Sequence, residues 1–213
     1  MKKIFVAMSA LLAAVLVSCT SAPAPQAEET KADDTNVVVE LMKSRRSIRN
    51  YQDRPVNRDT MQIIMDCGIL APNGMNKQSY EVRVLDNPET IAQLTELYKA
   101  ENPQMAEREG FKTMFNNANT VAFIGVDDSY DLGRIDAGLL GENMILSAWS
   151  MGIGSCCLGG AVRFLTTSES AKPFMEKLGF SEGIKLLYCI AFGYPAETPE
   201  AKPRNFEKAK FIE

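Results

Sequence analysis

The segment from Ala137 to Met151 constrains the fold of this chain more than any other part of its sequence. It contains one charged residue, Glu142, and apolar side chains occupy nearly the whole circumference of the predicted helix. A helix of this kind lies in the centre of a domain or across a subunit interface. The segment is shorter than a membrane span and is interrupted by Glu142 and Asn143, so we exclude a transmembrane helix.

Two glycines fall inside this predicted helix, which we expect to run from Leu132 to Met151 with Asp131 as its cap. Glycine in a helix interior costs about 1 kcal/mol relative to alanine. Close approach of another backbone therefore explains Gly138 and Gly141 better than helix propensity does.

The rest of the pattern predicts a helix-rich domain over residues 36–213. Alternating or continuous apolar runs predict three strands, at Tyr80–Leu85, Val121–Val126 and Lys185–Phe192. Helical spacing and capping residues predict further helices over residues 37–43 (capped by Asn36), 60–70 (capped by Asp59), 88–98, 103–114 and 166–178. Residues 152–160 should form a loop, with at most a short strand. Because strands and helices do not strictly alternate, we expect an α+β sandwich and not a doubly wound parallel sheet.

Composition excludes several classes of protein. The 213 residues are 46% hydrophobic and 23% charged, which excludes collagen-like, disordered and multi-pass membrane chains. There is no histidine, so a histidine triad, an imidazole base and a histidine-ligated metal are all excluded, and we expect no metal site. A formal net charge of −4 argues against a nucleic-acid partner.

The first residues resemble a bacterial lipoprotein signal. Lys2 and Lys3 precede an apolar run from Ile4 to Val17, and Cys19 follows where that run ends. We expect residues 1–18 to be the signal peptide and Cys19 to be lipidated; a plain signal peptide with a chance cysteine is the alternative. Residues 19–35 should form a flexible tether. These features predict a lipid-anchored protein of the cell envelope, on the periplasmic side of the outer membrane, with no other membrane contact.

Two polar segments are candidate binding sites. The run from Ser44 to Arg49 holds three arginines and two serines, the residue types suited to a phosphate group, although a solvated basic turn would have the same composition. The run from Pro72 to Gln78 offers amide groups suited to the edge of a flavin or a base; its alternative is a simple helix-ending turn. The four cysteines after Cys19 are expected to be small buried apolar residues.

Four motifs in order resemble those of the nitroreductase family of FMN-dependent NAD(P)H oxidoreductases. They are Arg45-Arg46-Ser47-Ile48-Arg49, the run Ala71–Gln78, the helix and glycine turn from Asp136 to Ser155, and a C-terminal pair of motifs, Phe192–Pro195 and Lys202-Pro203-Arg204. The resemblance covers the whole predicted domain.

This resemblance implies a sandwich with a central mixed sheet flanked by helices, in an intertwined homodimer that binds FMN non-covalently. The FMN-binding residues that it implies are Arg45, Arg46, Ser47 and Arg49 for the phosphate and ribityl chain, Lys202 and Arg204 for the phosphate, Asn73 and Asn76 for the isoalloxazine, and Gly159 and Gly160 for backbone contacts. The two asparagines would come from the second subunit.

The implied reaction passes two electrons through the flavin, from NAD(P)H to a nitroaromatic, quinone or similar acceptor. Because the flavin carries the chemistry, no catalytic side chain is expected. Ser79-Tyr80 replaces the Pro-Trp common in the family, and Gly159 replaces an acidic residue; both changes bear on the choice of substrate. NAD(P)H is cytosolic, so an envelope location also leaves open a flavin- or ligand-binding lipoprotein without nicotinamide-dependent turnover, or a module that binds no flavin.

Overall fold

A four-stranded sheet forms the centre of the domain. The computed structural model describes residues 36–212, and the predicted signal peptide, Cys19 and tether lie outside this range. The sheet has the order β1-β2-β4-β3, with β1 at Tyr80–Leu85, β2 at Thr120–Asp127, β3 at Gly154–Leu158 and β4 at Ile184–Gly193. The three predicted strands are thus confirmed to within two residues, and β3 fills most of the segment expected to be a loop.

All three strand pairs in this sheet are antiparallel. The expectation of a mixed sheet is therefore wrong for the named strands. Within residues 36–212 the one parallel pairing is an isolated bridge between Ser47 and Ser155, at the outer edge of β3. This bridge places the arginine-rich segment beside the sheet.

Within the described range, residues 36–212, seven α-helices surround the sheet. They are α1 at Val37–Ser44, α2 at Arg58–Ile69, α3 at Pro88–Glu101, α4 at Pro103–Ala106, α5 at Gly133–Ser150, α6 at Gly159–Thr167 and α7 at Lys172–Leu178. No helix among residues 36–212 has both the length and the apolar character needed to cross a bilayer.

The predicted helix caps are only partly confirmed. Asn36 caps α1, since its side-chain oxygen accepts from the backbone N–H groups of Val38 and Val39. Asn57, and not Asp59, caps α2: its Oδ1 accepts from the Asp59 amide at 2.8 Å. Asp131 does not cap α5, which begins after a tight turn and has no side-chain cap. These errors shift the predicted helix starts by one or two residues.

Two predicted helices are wrong in extent. Residues 103–114 form a helix only as far as Ala106, because Gly110 takes a left-handed conformation with φ of 74° and the following loop turns into the core. Residues 166–178 include the end of α6, a 3₁₀ turn at Glu169–Ala171 and all of α7. The break comes at Ser168, where the backbone is extended and the hydroxyl donates to Glu101. Pro173 stands at the start of α7, the position in a helix that proline favours.

The core lies in two layers, one on each face of the sheet. Alternate residues of β2 point to opposite faces: Phe123 joins the layer under α3, α6 and α7, and Ile124 joins the layer under α2 and α5. The α+β sandwich is therefore confirmed.

Helix α5 packs on the sheet through its closely approaching glycine. A Cβ at Gly141 would overlap the Tyr188 hydroxyl, which donates to the Ala137 carbonyl at 2.6 Å. A close neighbour at Gly141 is thus confirmed, but it is a tyrosine side chain and not another backbone, as the prediction had it. At Gly138, by contrast, a Cβ would meet nothing within 4 Å, so the chain itself provides no neighbour there.

Candidate functional site

One cleft of about 740 Å³ collects the predicted phosphate-binding residues. Its lining includes all six of them: Arg45, Arg46, Ser47, Arg49, Lys202 and Arg204. We call this site the cationic cleft.

The local fold around Ile48 explains how these residues reach the surface together. Ile48 is 1% exposed and its amide donates to the Ser155 carbonyl at 2.9 Å, so the chain is fixed against β3. The buried Tyr51 hydroxyl donates to the Ile48 carbonyl at 2.5 Å, and burial raises the pKa of this phenol well above its usual range. Ser47 and Arg49 flank the buried Ile48 and therefore face outward.

The C-terminal tail is held beside this segment by backbone contacts. The Ala196 amide donates to the Asn50 carbonyl at 3.0 Å, and the Glu197 carboxylate accepts from the backbone N–H groups of Arg49 and Asn50 at 2.5 and 3.2 Å. After Tyr194 the chain is extended and exposed apart from a short 3₁₀ turn at Phe206–Lys208, as the sequence predicts. These contacts direct the tail across the cleft.

The charges of the cleft are not neutralised by carboxylates. Six ion pairs form among residues 36–212. One of them joins Lys43, at the rim of the cleft, to Glu40 at 2.9 Å, but none involves the five predicted phosphate-binding cations. The Arg46 and Arg49 guanidiniums donate only to nearby backbone carbonyls. The cleft therefore presents a concentrated positive charge suited to a phosphate group.

A second cavity of about 680 Å³ adjoins the cleft and shares Arg49 with it. Gly159 and Gly160 line this cavity, and a Cβ built on either glycine would meet nothing within 4 Å. Backbone in this position is open to close approach by a flat ligand. We call this site the glycine cavity.

Two of the predicted buried cysteines also line the glycine cavity. Cys156 is buried, and its sulfur lies 3.8 Å from the Asn116 side-chain nitrogen. Cys157 is exposed, which contradicts the prediction, because alternation along β3 turns it to the opposite face. Cys189 is buried and Cys67 is half-buried. Burial raises the pKa of Cys156, so this thiol is protonated at neutral pH.

The loop of residues 73–78, here called the amide loop, is rigidly built. Met75, Asn76 and Gln78 have φ values of 52°, 54° and 49°, a conformation that L-residues rarely adopt. The Asn73 Oδ1 accepts from the Gln78 amide at 3.0 Å. Both carboxylate oxygens of the buried Asp136 accept from the Gly74 amide, at 3.0 and 3.1 Å. Asp136 thus anchors the loop.

The amide loop and the cationic cleft contact opposite ends of α5. Asp136 binds the loop near the start of the helix, whereas the Trp149 indole near its end donates to the Ser44 hydroxyl at 3.0 Å. Thirteen residues of helix separate these contacts by about 20 Å. One chain therefore brings the predicted arginines, Lys202 and the glycines together, but it does not bring Asn73 and Asn76 to them.

Residues that the sequence did not indicate also line the glycine cavity. Arg108, Phe111 and Lys112 lie on the loop that follows α4. They were not predicted as site residues because the sequence pattern assigned them to a helix over residues 103–114. The turn-forming pair Asn116-Asn117 was the signal that could have indicated a loop.

The donor set fits a phosphate group joined to a flat ring system, as in FMN. Cations without carboxylate partners surround a space large enough for a phosphate, and open glycine backbone adjoins it. Fold and site together define an α+β protein that binds a phosphorylated planar ligand.

Comparisons with known proteins identify the family. The model of the nitroreductase family matches residues 42–194, which is most of the chain, so the chain belongs to this family. A putative NADH dehydrogenase/NAD(P)H nitroreductase from Archaeoglobus fulgidus is 28% identical over 75% of this chain and 86% of that protein. An NADPH-flavin oxidoreductase from Vibrio harveyi is 26% identical over 79% of this chain and 70% of that protein.

A solved structure has the same fold. The nitroreductase with bound FMN from Bacteroides fragilis aligns with a TM-score of 0.74 and 24% identity, over 84% of this chain and all of that one. The prediction of a flavin-dependent oxidoreductase of nitroreductase type is thereby confirmed at the level of enzyme class.

Proposed function

We propose that this chain binds FMN between the cationic cleft and the glycine cavity, and that it passes two electrons from a nicotinamide donor to a nitroaromatic, quinone or similar acceptor. The observation that carries the proposal is the cluster of five cations without carboxylate partners in the cleft. FMN, when bound, would supply the reversible two-electron chemistry of this reaction.

The proposed roles follow from the position of each residue. Arg45, Arg46 and the tail residues Lys202 and Arg204 hold the phosphate by charge-assisted hydrogen bonds, with the Ser47 hydroxyl as a neutral donor. Arg49 lines both cavities, so its cation lies between the phosphate and the planar part of the ligand, where it favours a reduced, anionic ring.

The overall reaction balances without a catalytic base. The nicotinamide loses a hydride, which is two electrons and one proton. A quinone acceptor takes up two electrons and two protons to become a hydroquinone, and the second proton comes from solvent. The open glycine cavity gives both molecules access in turn, which corresponds to a ping-pong sequence.

We further propose that two chains pair through α5 about a two-fold axis. Such an axis across the helix makes the two copies antiparallel, so that the start of one lies beside the end of the other. The amide loop of the partner then approaches the cationic cleft of the first chain, whose own amide loop lies at the other end of α5. This geometry supports a role for Asn73 and Asn76 in contacting the flavin of the opposite subunit.

The surface of α5 supports this pairing. One face of the helix carries apolar side chains at helical spacing, in which Ile135 is 58% exposed and Leu139 is 41% exposed, and half-buried Leu146 continues the stripe beyond one exposed charge, Glu142. Gly138 lies on the same face, with open space beside it. An apolar stripe and a glycine on an exposed helix are suited to close contact with a second helix.

The test is a visible spectrum of the full chain after incubation with FMN and gel filtration. Flavin bands that bleach with anaerobic NADH or NADPH and return with a quinone are the expected result. Bands that persist with both nicotinamides, and that no acceptor affects after chemical reduction, would favour the alternative of a flavin-binding lipoprotein without nicotinamide-dependent turnover. A colourless protein would contradict the cofactor assignment.

We also propose that Cys19 carries a lipid that holds the domain at the periplasmic face of the outer membrane. The sequence pattern of residues 1–19 supports this location. Membrane fractionation of the native chain and a Cys19→Ser variant tests it: the native chain should sediment with outer membranes, and the variant should not. If the variant shows that the domain is anchored there, the nicotinamide of the proposed reaction would be the donor in the assay only, and an envelope reductant would replace it in the cell, because NAD(P)H stays in the cytosol.

A further inference from the structure

The glycine cavity has a positively charged wall that the proposed FMN contacts leave unused. Arg108 and Lys112 lie on the loop after α4, and with Arg49 they give three cations against one carboxylate, that of Glu109. Neither Arg108 nor Lys112 forms an ion pair with any carboxylate in residues 36–212. In a chain of net charge −4, this wall is a local reversal of sign.

The loop that carries these cations is held in place by one side chain. The Asn117 Oδ1 accepts from the Lys112 and Thr113 amides at 2.8 and 3.0 Å, and its Nδ2 donates to the Gly110 carbonyl at 2.9 Å. Asn117 itself has a left-handed conformation with φ of 65°. The backbone beneath Arg108 and Lys112 is therefore organised before any ligand arrives.

Aromatic rings lie beside the cations in the same wall. Phe111 stacks on Tyr98, with ring centroids 6.1 Å apart and planes at 22°, and both residues line the cavity. Tyr98 is in turn fixed edge-on by Phe164 at 5.3 Å. A flat ring can pack on such a surface, and a carboxylate on that ring would lie within reach of the cations.

We propose that Arg108 and Lys112 select an aromatic electron acceptor that carries an anionic group, such as a carboxylate, and that Asn117 positions them. This inference rests on the proposed function, since it names the class of acceptor for the same site. The phosphates of a nicotinamide donor are another source of negative charge. The compact wall favours the acceptor, because both cations and the ring of Phe111 lie within one short loop.

The test compares two probes that differ only in charge, 4-nitrobenzoate and 4-nitrobenzamide. Their dissociation constants are measured by calorimetry on the oxidised, FMN-loaded full chain, so the result does not depend on turnover. We expect the carboxylate to bind about tenfold more tightly, which is the effect of about 1.4 kcal/mol. Arg108→Gln with Lys112→Gln should bring the ratio close to one.

A matched control removes the same charge elsewhere. Lys177→Gln with Lys185→Gln changes two exposed lysines that are outside the cavity and form no ion pair among the described residues. The control should leave the ratio unchanged; an equal fall in both double variants would mean that only the overall charge matters, and would overturn the proposal.

A second pair of variants tests the positioning role. Asn117→Gly keeps the left-handed backbone but removes the three loop hydrogen bonds, and we expect the ratio to fall about threefold. Asn116→Gly also replaces a left-handed residue, φ 54°, in the lining of the same cavity, but its side chain is uncharged and makes no loop bond. The affinities for the two probes should therefore change together, and the ratio should hold. Equal ratios in the two variants would contradict a positioning role for Asn117.

The remaining outcomes separate this inference from the proposed function. Equal affinities for the two probes in the native chain overturn the inference, even if both are reduced normally. Weaker NADPH binding in the Arg108/Lys112 variant, with an unchanged probe ratio, assigns the cations to the donor and also overturns it. A preference for 4-nitrobenzoate that disappears in the variant supports the inference, even if the bound probe is never reduced and the proposed function fails.

Discussion

The cationic cleft and the amide loop serve the same proposed cofactor, but a single chain completes only the first. The cleft residues lie close together in the chain or on the C-terminal tail. Hydrogen bonds from the Ala196 amide to the Asn50 carbonyl and from the Arg49 amide to the Glu197 carboxylate hold this tail beside them. The amide loop is held just as firmly, by Asp136, but at the other end of α5. Firm hydrogen bonding within a segment therefore does not show whether the residues that complete its binding site lie in the same chain.

The largest expected effect comes from breaking the proposed pairing of α5. Ile135→Arg with Leu139→Arg places charge in the apolar stripe, so the protein should elute at the mass of one chain and not of two. FMN affinity should fall at least about a hundredfold, because the amide loop is lost from each site. Titration calorimetry and gel filtration measure both effects.

The matched control for that experiment is Leu97→Arg. Leu97 is 37% exposed and lies on α3, on the opposite face of the sheet. This variant should keep both the mass and the FMN affinity of the native protein. A stable dimer of the Ile135/Leu139 variant would contradict pairing through α5.

The next effect concerns the cleft alone. Arg45→Ala should weaken FMN binding by about 1.5–3 kcal/mol, the range for a hydrogen bond to a charged group. Fluorescence titration of FMN measures the loss. Arg163→Ala, which removes an exposed arginine of α6 outside the cleft, should change little. If Arg45→Ala binds FMN as the native chain does, the phosphate assignment is wrong.

Substitution of Asp136 tests the amide loop. Asp136→Ala leaves the Gly74 amide without its acceptor, so the free energy of unfolding should fall by about 1–3 kcal/mol in a denaturant titration. Asp136→Asn keeps one acceptor oxygen and should lose less. The Asp136→Ala variant should also bind riboflavin, which lacks the phosphate, more weakly than the native chain does. Unchanged riboflavin affinity would mean that the amide loop does not contact the flavin ring.

The smallest effect sharpens the contrast between charge and amide contacts. Raising ionic strength from about 0.05 to about 0.5 M should weaken FMN binding about threefold, since salt screens the exposed cleft cations. Riboflavin binding should not respond, because the amide and glycine contacts are uncharged. Equal salt dependence of the two ligands would show that the cleft does not hold the phosphate.

The cleft could be predicted from the sequence because the residues that determine its structure are neighbours in the chain. Arg45 to Arg49 surround one apolar residue, Ile48, whose burial against β3 turns its neighbours outward. The loop with Arg108 and Lys112 could not be found in this way. Its course depends on Asn117, five residues beyond Lys112, and on Gly110, so a local helical pattern gave the wrong structure.

The central helix shows the same division. Its burial followed from composition, and its contact at Gly141 followed from the cost of glycine, but Tyr188, which makes that contact, comes from a distant strand. The cap at Asp131 failed because the helix start is decided by the turn after β2 and not by a side-chain oxygen.

The separation of the two regions along α5 has a genetic consequence. If each site takes its cleft from one chain and its amide loop from the other, then Arg45→Ala and Asn76→Ala act on different halves of the same site. In a mixed dimer of these two variants, one site carries both defects and the other carries none. Two alleles that are each inactive would therefore complement one another when expressed in the same cell.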